Sequence, residues 1–158
     1  MLTPPVPVIR MPDAAGALSA ADPLVGIDIV AIRRIRSSLE RFGDRFVDRL
    51  YTPGEAAYAM AAPACRAQRL AARFAAKEAV IKALGFGGQA LCWRDIEVIR
   101  HDSGACAIAL HGQAARRARE RRVGAIAVSL SHDDDYAIAV VHATRRRPRP
   151  PSFSLLAS

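Results

Sequence analysis

Cysteine is scarce in this chain of 158 residues, with only Cys65, Cys92 and Cys106. Odd in number and without paired spacing, they exclude a disulfide framework and a thiolate zinc site, and they fit a reducing cytoplasm. Long apolar runs are also missing, so no segment approaches a membrane span. The opening residues, Met1 to Pro7, lack the basic start and apolar core of a secretory signal. His101, His111, His132 and His142 do not fall at zinc-ligand spacing. Nothing matches Gly-x-x-x-x-Gly-Lys-Ser/Thr or Gly-x-Ser-x-Gly, which removes the P-loop and the nucleophile elbow. Aromatics make up 6% of the chain, too sparse for the interleaved stacking surface of a single-strand binder.

What is present describes one folded unit. Half of the residues are apolar, at 51%, enough for a core in a single domain of this length. Pro4, Pro5, Pro7, Pro12 and Pro23 mark residues 1–23 as a flexible N-terminal extension. Residues 24–143 form the domain. Residues 144–158 are read as a disordered Arg/Pro tail. The net charge of +8 divides unevenly. Arg145, Arg146, Arg147 and Arg149 carry +4, and Arg10 against Asp13 and Asp22 leaves −1 in the extension. The remaining +5 on the domain favours an anionic partner: a nucleotide, an acidic protein or nucleic acid.

Leu24 to Val30 reads as a short apolar strand. Ile32, Ile35, Leu39, Phe42 and Phe46 then keep a helical beat that Gly43 breaks or bends. Arg33, Arg34, Arg36, Arg41, Arg45 and Arg49 crowd this segment against Glu40, Asp44 and Asp48. Local pairing on a solvated face is one reading, and a surface for an acidic protein is the other. Thr52-Pro53-Gly54-Glu55 is a helix start with a capping box, and that helix ends near Pro63. A long central helix runs from about Ala64 to Leu84 and stops at Gly85. Trp93 to Ile99 and Ala105 to Leu110 make a hairpin, with a helix over Gly112 to Arg122. Ala125 to Leu130 and Tyr136 to Ala143 are strands joined by an acidic turn at Asp133, Asp134 and Asp135. The expected fold is α+β, a mainly antiparallel sheet packed with the long central helix.

Two features call for chemistry. Leu70, Phe74, Ile81 and Leu84 form one apolar stripe on the central helix, and Lys77 falls inside it. Either its stem snorkels so that the ammonium reaches water, or the helix borders an anion site. Glu78 lies at the edge of the stripe, with Lys82 one turn further along. Asp28 sits inside the first strand, where a carboxylate costs several kcal/mol unless paired or bound to metal. The alternative is that Asp28 points to solvent while Ile27 and Ile29 face inward. Magnesium takes one or two carboxylates and completes its shell with water and phosphate oxygens. Asp28 and Glu78 would suit it if the fold brought them together, with Lys77 and Lys82 holding phosphates.

The chain resembles holo-[acyl-carrier-protein] synthases, the small bacterial type of 4′-phosphopantetheinyl transferase. The resemblance lies in Gly26-Ile27-Asp28-Ile29-Val30, Phe74-Ala75-Ala76-Lys77-Glu78-Ala79 with Lys82-Ala83, Asp95-Ile96-Glu97-Val98, and Ser129-Leu130-Ser131-His132 with Tyr136-Ala137. Arg49-Leu50-Tyr51-Thr52 and Glu55 agree more weakly. It implies a magnesium-dependent transfer of 4′-phosphopantetheine from coenzyme A to a serine of apo-acyl carrier protein, in lipid synthesis. Under it Asp28 and Glu78 are metal ligands, and Glu78 and Lys82 are catalytic. Lys77, Lys82 and His132 contact phosphate or nucleotide, though a structural role for His132 in its turn is equally open. The serine proton goes to a metal-held water or to Glu78 itself. Arg34 leads the carrier-protein docking residues, followed by Arg33, Arg41 and Arg45. A homotrimer with sites between subunits is implied, with no nucleic-acid or membrane partner. Three departures stand out: Ala31 replaces a usual acid, Gly104-Ala105-Cys106 replaces a Gly-Lys-Pro-like turn, and the N-terminal extension is long. A basic nucleic-acid-binding α+β module would explain the charge, but neither Asp28 nor the Lys77-Glu78 pair.

Overall fold

The computed structural model describes residues 23–87 and 91–146. The extension, apart from Pro23, and the tail beyond Arg146 lie outside those residues. The element order is β1 (Pro23–Ala31), α1 (Ile32–Phe42), α2 (Asp44–Leu50), α3 (Pro53–Met60) and α4 (Arg66–Leu84), then β2 (Ile96–Arg100), β3 (Cys106–Leu110), α5 (Gly112–Glu120), β4 (Val123–His132) and β5 (Tyr136–Arg145). Short 3-10 turns stand at Pro63–Cys65 and Trp93–Asp95. The fold is α+β, with two antiparallel sheets: three strands in the order β1-β5-β4, and the hairpin β2-β3. Strand β5 continues through Arg145, so the first residues assigned to the tail belong to the sheet. Trp93 sits in a 3-10 turn, and β2 begins only at Ile96.

Helix α4 forms because nineteen residues pass without Gly or Pro, and alanine is the strongest helix former. Gly85, at φ 63°, ends it in the left-handed conformation, and the Phe86 amide bonds back to the Ile81 carbonyl as in a Schellman closure. Arg121 also donates to the Leu84 and Gly85 carbonyls, so an arginine from the far end of α5 stabilises the helix's negative end. The buried side of α4 is mostly small: Ala71, Ala72, Ala75, Ala76 and Ala79 are in the core, as are Ala137, Ala139 and Ala143 of β5. Small residues on both partners let sheet and helix approach closely. The closest approach is at Gly26, where a Cβ would stand 2.0 Å from the Ala79 carbonyl oxygen. Only glycine fits there.

Two charged residues lie at the centre of the core. Lys77 and Glu55 both have fully buried side chains and meet at 2.8 Å. The Lys77 ammonium also donates to the carbonyls of Trp93, at 3.0 Å, and Ile96, at 2.5 Å. Its three N–H bonds are therefore all used. Glu55 is equally committed. Besides Lys77, Oε2 accepts from the Thr52 amide at 2.8 Å, closing the capping box of α3, and Oε1 accepts from the Val98 amide at 3.0 Å. Burial pushes the lysine below its ordinary range, and the Glu55 carboxylate opposes that shift.

Removing one member of such a pair leaves the other charged and dry. Lys77→Met is expected to lower unfolding stability by about 3–5 kcal/mol, read by chemical denaturation. A change under about 1 kcal/mol would mean the ammonium is not required there.

Candidate active site

Strand β1 crosses α4 with Gly26, Asp28 and Val30 on the helix side. Gly26 and Val30 are buried there. Ile27 and Ile29 face outward, 55% and 61% exposed. This settles the orientation left open by the sequence: the carboxylate, not the isoleucine pair, points toward the helix. Its side chain is 16% exposed and meets Lys82 Nζ at 2.7 Å. Lys82 also donates to the Ile27 carbonyl at 3.0 Å, so it holds the strand by both its backbone and the Asp28 side chain. Glu78, one helical turn before Lys82, completes the group. Partial burial and the negative charge of Asp28 hold its carboxyl above the ordinary range, with Lys82 opposing. Lys82 is raised by its hydrogen bond to Asp28.

Asp28 stands close enough to disfavour the ionisation of Glu78, and with one exposed lysine beside them the two acids form a site short of positive charge. No cluster of three or more metal-ligating side chains occurs among the described residues. The donor set nevertheless fits magnesium, which takes few protein carboxylates when a substrate's phosphates share its shell.

The other expected phosphate contacts do not gather there. Lys77, although adjacent to Glu78 in sequence, points the opposite way into the core and has no N–H left for a ligand. That expectation is corrected by the presence of Glu55, which stabilises the buried ammonium. His132, at the end of β4, lines a separate cleft of about 500 Å³ together with Tyr58, Arg69, Arg73, Arg100 and Cys106. Three guanidinium groups surround the Tyr58 ring, with Arg73 at 3.9 Å, Arg69 at 4.4 Å and Arg100 at 5.9 Å from its centroid. Arg73 is 3% exposed, and its Nε has no hydrogen-bond partner. Burial lowers its proton affinity, and Arg100 acts in the same direction. Crowded cations with an unused buried donor describe an anion site. The sequence reading missed it because its arginines come from α4 and β2. The visible hint was Arg69 and Arg73 standing one helical turn apart.

On α1 and α2 the six arginines are all exposed. None of them forms an ion pair within 4.0 Å among the described residues, and Asp44 pairs instead with Arg66 of α4. Gly43, at φ 55°, separates the two helices. On either side of it Phe42 and Phe46, with Arg45 and Arg49, line a small depression of about 270 Å³. The acidic turn is a local structure: Asp133 Oδ1 accepts from the Asp135 and Tyr136 amides.

A family profile described as the 4′-phosphopantetheinyl transferase superfamily matches residues 24–141. The chain is 46% identical over 120 residues to the holo-[acyl-carrier-protein] synthase of Desulforudis audaxviator, covering 73% of this chain and 87% of that protein. It is 49% identical over 119 residues to the synthase of the same name from Gloeobacter violaceus, covering 74% and 89%. Among solved structures it is similar to the Chronobacterium ammoniagenes ACPS-CoA complex, with TM-score 0.69 and 33% identity, covering 79% of this chain and 98% of that one.

A carboxyl whose folded-state affinity for protons is raised favours the fold when protonated and weakens it once ionised. With metal chelated, Glu78→Gln should therefore be more stable than the parent at neutral pH. The difference should close as pH falls toward about 4.5, the ordinary value for glutamate. Denaturation curves between about pH 8 and pH 4 would show it, and equal stability throughout would remove the strain assigned to this acid.

Proposed function

The chain belongs to the 4′-phosphopantetheinyl transferase superfamily, and on that premise we propose that it moves the 4′-phosphopantetheine of coenzyme A onto a serine of apo-acyl carrier protein. The products are holo-acyl carrier protein and adenosine 3′,5′-bisphosphate. The observation that carries this reading is the meeting of Asp28, Glu78 and Lys82 where β1 crosses α4. Asp28 and Glu78 would hold magnesium, whose charge would draw electron density from the attacked phosphorus and stabilise the departing phosphate. Lys82 neutralises phosphate oxygens once it leaves Asp28. The proton of the attacking serine would go to a metal-held water or to Glu78 itself. Lys77 is a core residue that orients the helix and does not touch substrate.

The arginine cleft fits the phosphoadenosine end of coenzyme A. Within one chain its lining includes neither Asp28 nor Glu78, which supports a site assembled from two copies. The outer face of the three-stranded sheet supports the same view. Val25, Ile27 and Ile29 of β1 stand beside Tyr136 and Val140 of β5, all exposed, and such contiguous apolar surface marks an interface. We place a homotrimer on that face, to be checked by light scattering of the purified chain.

The acidic carrier protein docks on α1 and α2. Arg34, Arg33, Arg41 and Arg45 supply charge, and the Phe42–Phe46 depression takes one apolar side chain.

The test is the mass of apo-acyl carrier protein after incubation with this protein, coenzyme A and magnesium. A gain of about 340 Da is expected, the mass of one phosphopantetheine, and Glu78→Ala should abolish it. No gain with any apo-carrier protein would refute the transferase reading. In the same assay Arg34→Glu should raise KM for carrier protein about 10- to 1000-fold at low salt and leave KM for coenzyme A nearly unchanged. Equal effects on both substrates would remove α1 from docking.

A further inference from the structure

Cys106 is partly buried, yet it lies on the wall of the arginine cleft. It pairs directly across the β2–β3 hairpin with Arg100, a position that brings facing side chains within about 5 Å of each other at Cβ. Arg73 stands close enough for a charge on the Cys106 sulfur to act on it. Its Nε is unpartnered although the residue is 97% buried, being 3% exposed. Among the described residues lining the cleft none is acidic. An anion drawn in by the guanidinium groups is therefore held beside a sulfur. The other two thiols, Cys65 and Cys92, are exposed and do not line this cleft.

We propose that Cys106 is a thiolation site selective for small anionic disulfides, and that its modification closes the arginine cleft. The Cys106 sulfur, its proton lost to solvent, attacks one sulfur of the incoming disulfide. That S–S bond breaks, a new one forms to Cys106, and the second half leaves as a thiolate with the electron pair. Cys106 is oxidised, the small disulfide is reduced, and a dithiol reverses the exchange. The neighbouring guanidinium groups raise the local concentration of an anionic reagent beside the sulfur. Only the consequence for activity depends on the function proposed above.

The full chain is treated with glutathione disulfide, which is anionic, or with cystamine, a cationic disulfide, and the three cysteines are followed by peptide mass mapping. With glutathione disulfide, Cys106 should react about tenfold faster than Cys65 and Cys92, and with cystamine that preference should vanish. Inorganic pyrophosphate should slow Cys106 alone, and Arg100→Ala should cut its rate about tenfold. A first adduct on Cys65 or Cys92, or a Cys106 rate indifferent to reagent charge, overturns the proposal. Treated protein should also lose transfer activity and regain it with dithiothreitol, and Cys106→Ser should lose none of its own untreated activity on treatment. Selective labelling without inactivation would support the thiolation site and overturn the assignment of the cleft to coenzyme A.

Discussion

The contact between Lys77 and Glu55 is the constraint on which the other elements are aligned. A buried ion pair is rarely a large net source of stability, because desolvating two charges offsets most of their attraction. What this pair provides is geometry. Glu55 joins the first turn of α3, the middle of α4 and the backbone of β2, and Lys77 ties α4 to the turn before β2 and to its first residue. With Lys77 aimed inward, the rotation of α4 is set. Glu78, the next residue around the helix, faces β1, and Lys82 follows one turn later. The group of Asp28, Glu78 and Lys82 is thus positioned by a lysine whose N–H bonds are all spent in the core.

Much of this was legible from residue pattern alone. Gly85 closes α4, Gly43 separates α1 from α2, and Thr52 and Glu55 form the capping box, because each depends on its immediate neighbours. Asp28 could be singled out because a carboxylate within an apolar strand needs a partner. The partners themselves were harder to read. Glu55 had a sufficient local task as a cap, so nothing in the sequence announced that its second oxygen and remaining lone pairs served β2 and Lys77. The apolar alternation of β1 left open whether Ile27 and Ile29 or Asp28 faced inward. The isoleucines are outside because α4, with its small residues, covers the other face of the sheet, leaving them on its open side. The arginine cleft draws on five elements, α3, α4, β2, β3 and β4, and such a convergence has no periodicity.

The chain separates its chemical tasks by surface. One side of α4 meets β1 with the acids, while Arg69 and Arg73 reach a different wall. The exposed arginines of α1 and α2 occupy a third surface and lack local counter-charges within 4.0 Å among the described residues. Positive charge is therefore not spread evenly, and a basic patch without internal partners retains its field for an incoming acidic one.

Gly26 carries an additional burden. It stands two residues before Asp28 on the same face of β1 and abuts Ala79, the residue after Glu78. The gap between the two carboxylates is thus gauged by a backbone contact at a residue with no side chain. Even a methyl group at that point would wedge strand from helix and part the two acids, so their spacing is inherited from a position that contributes no side-chain atom of its own.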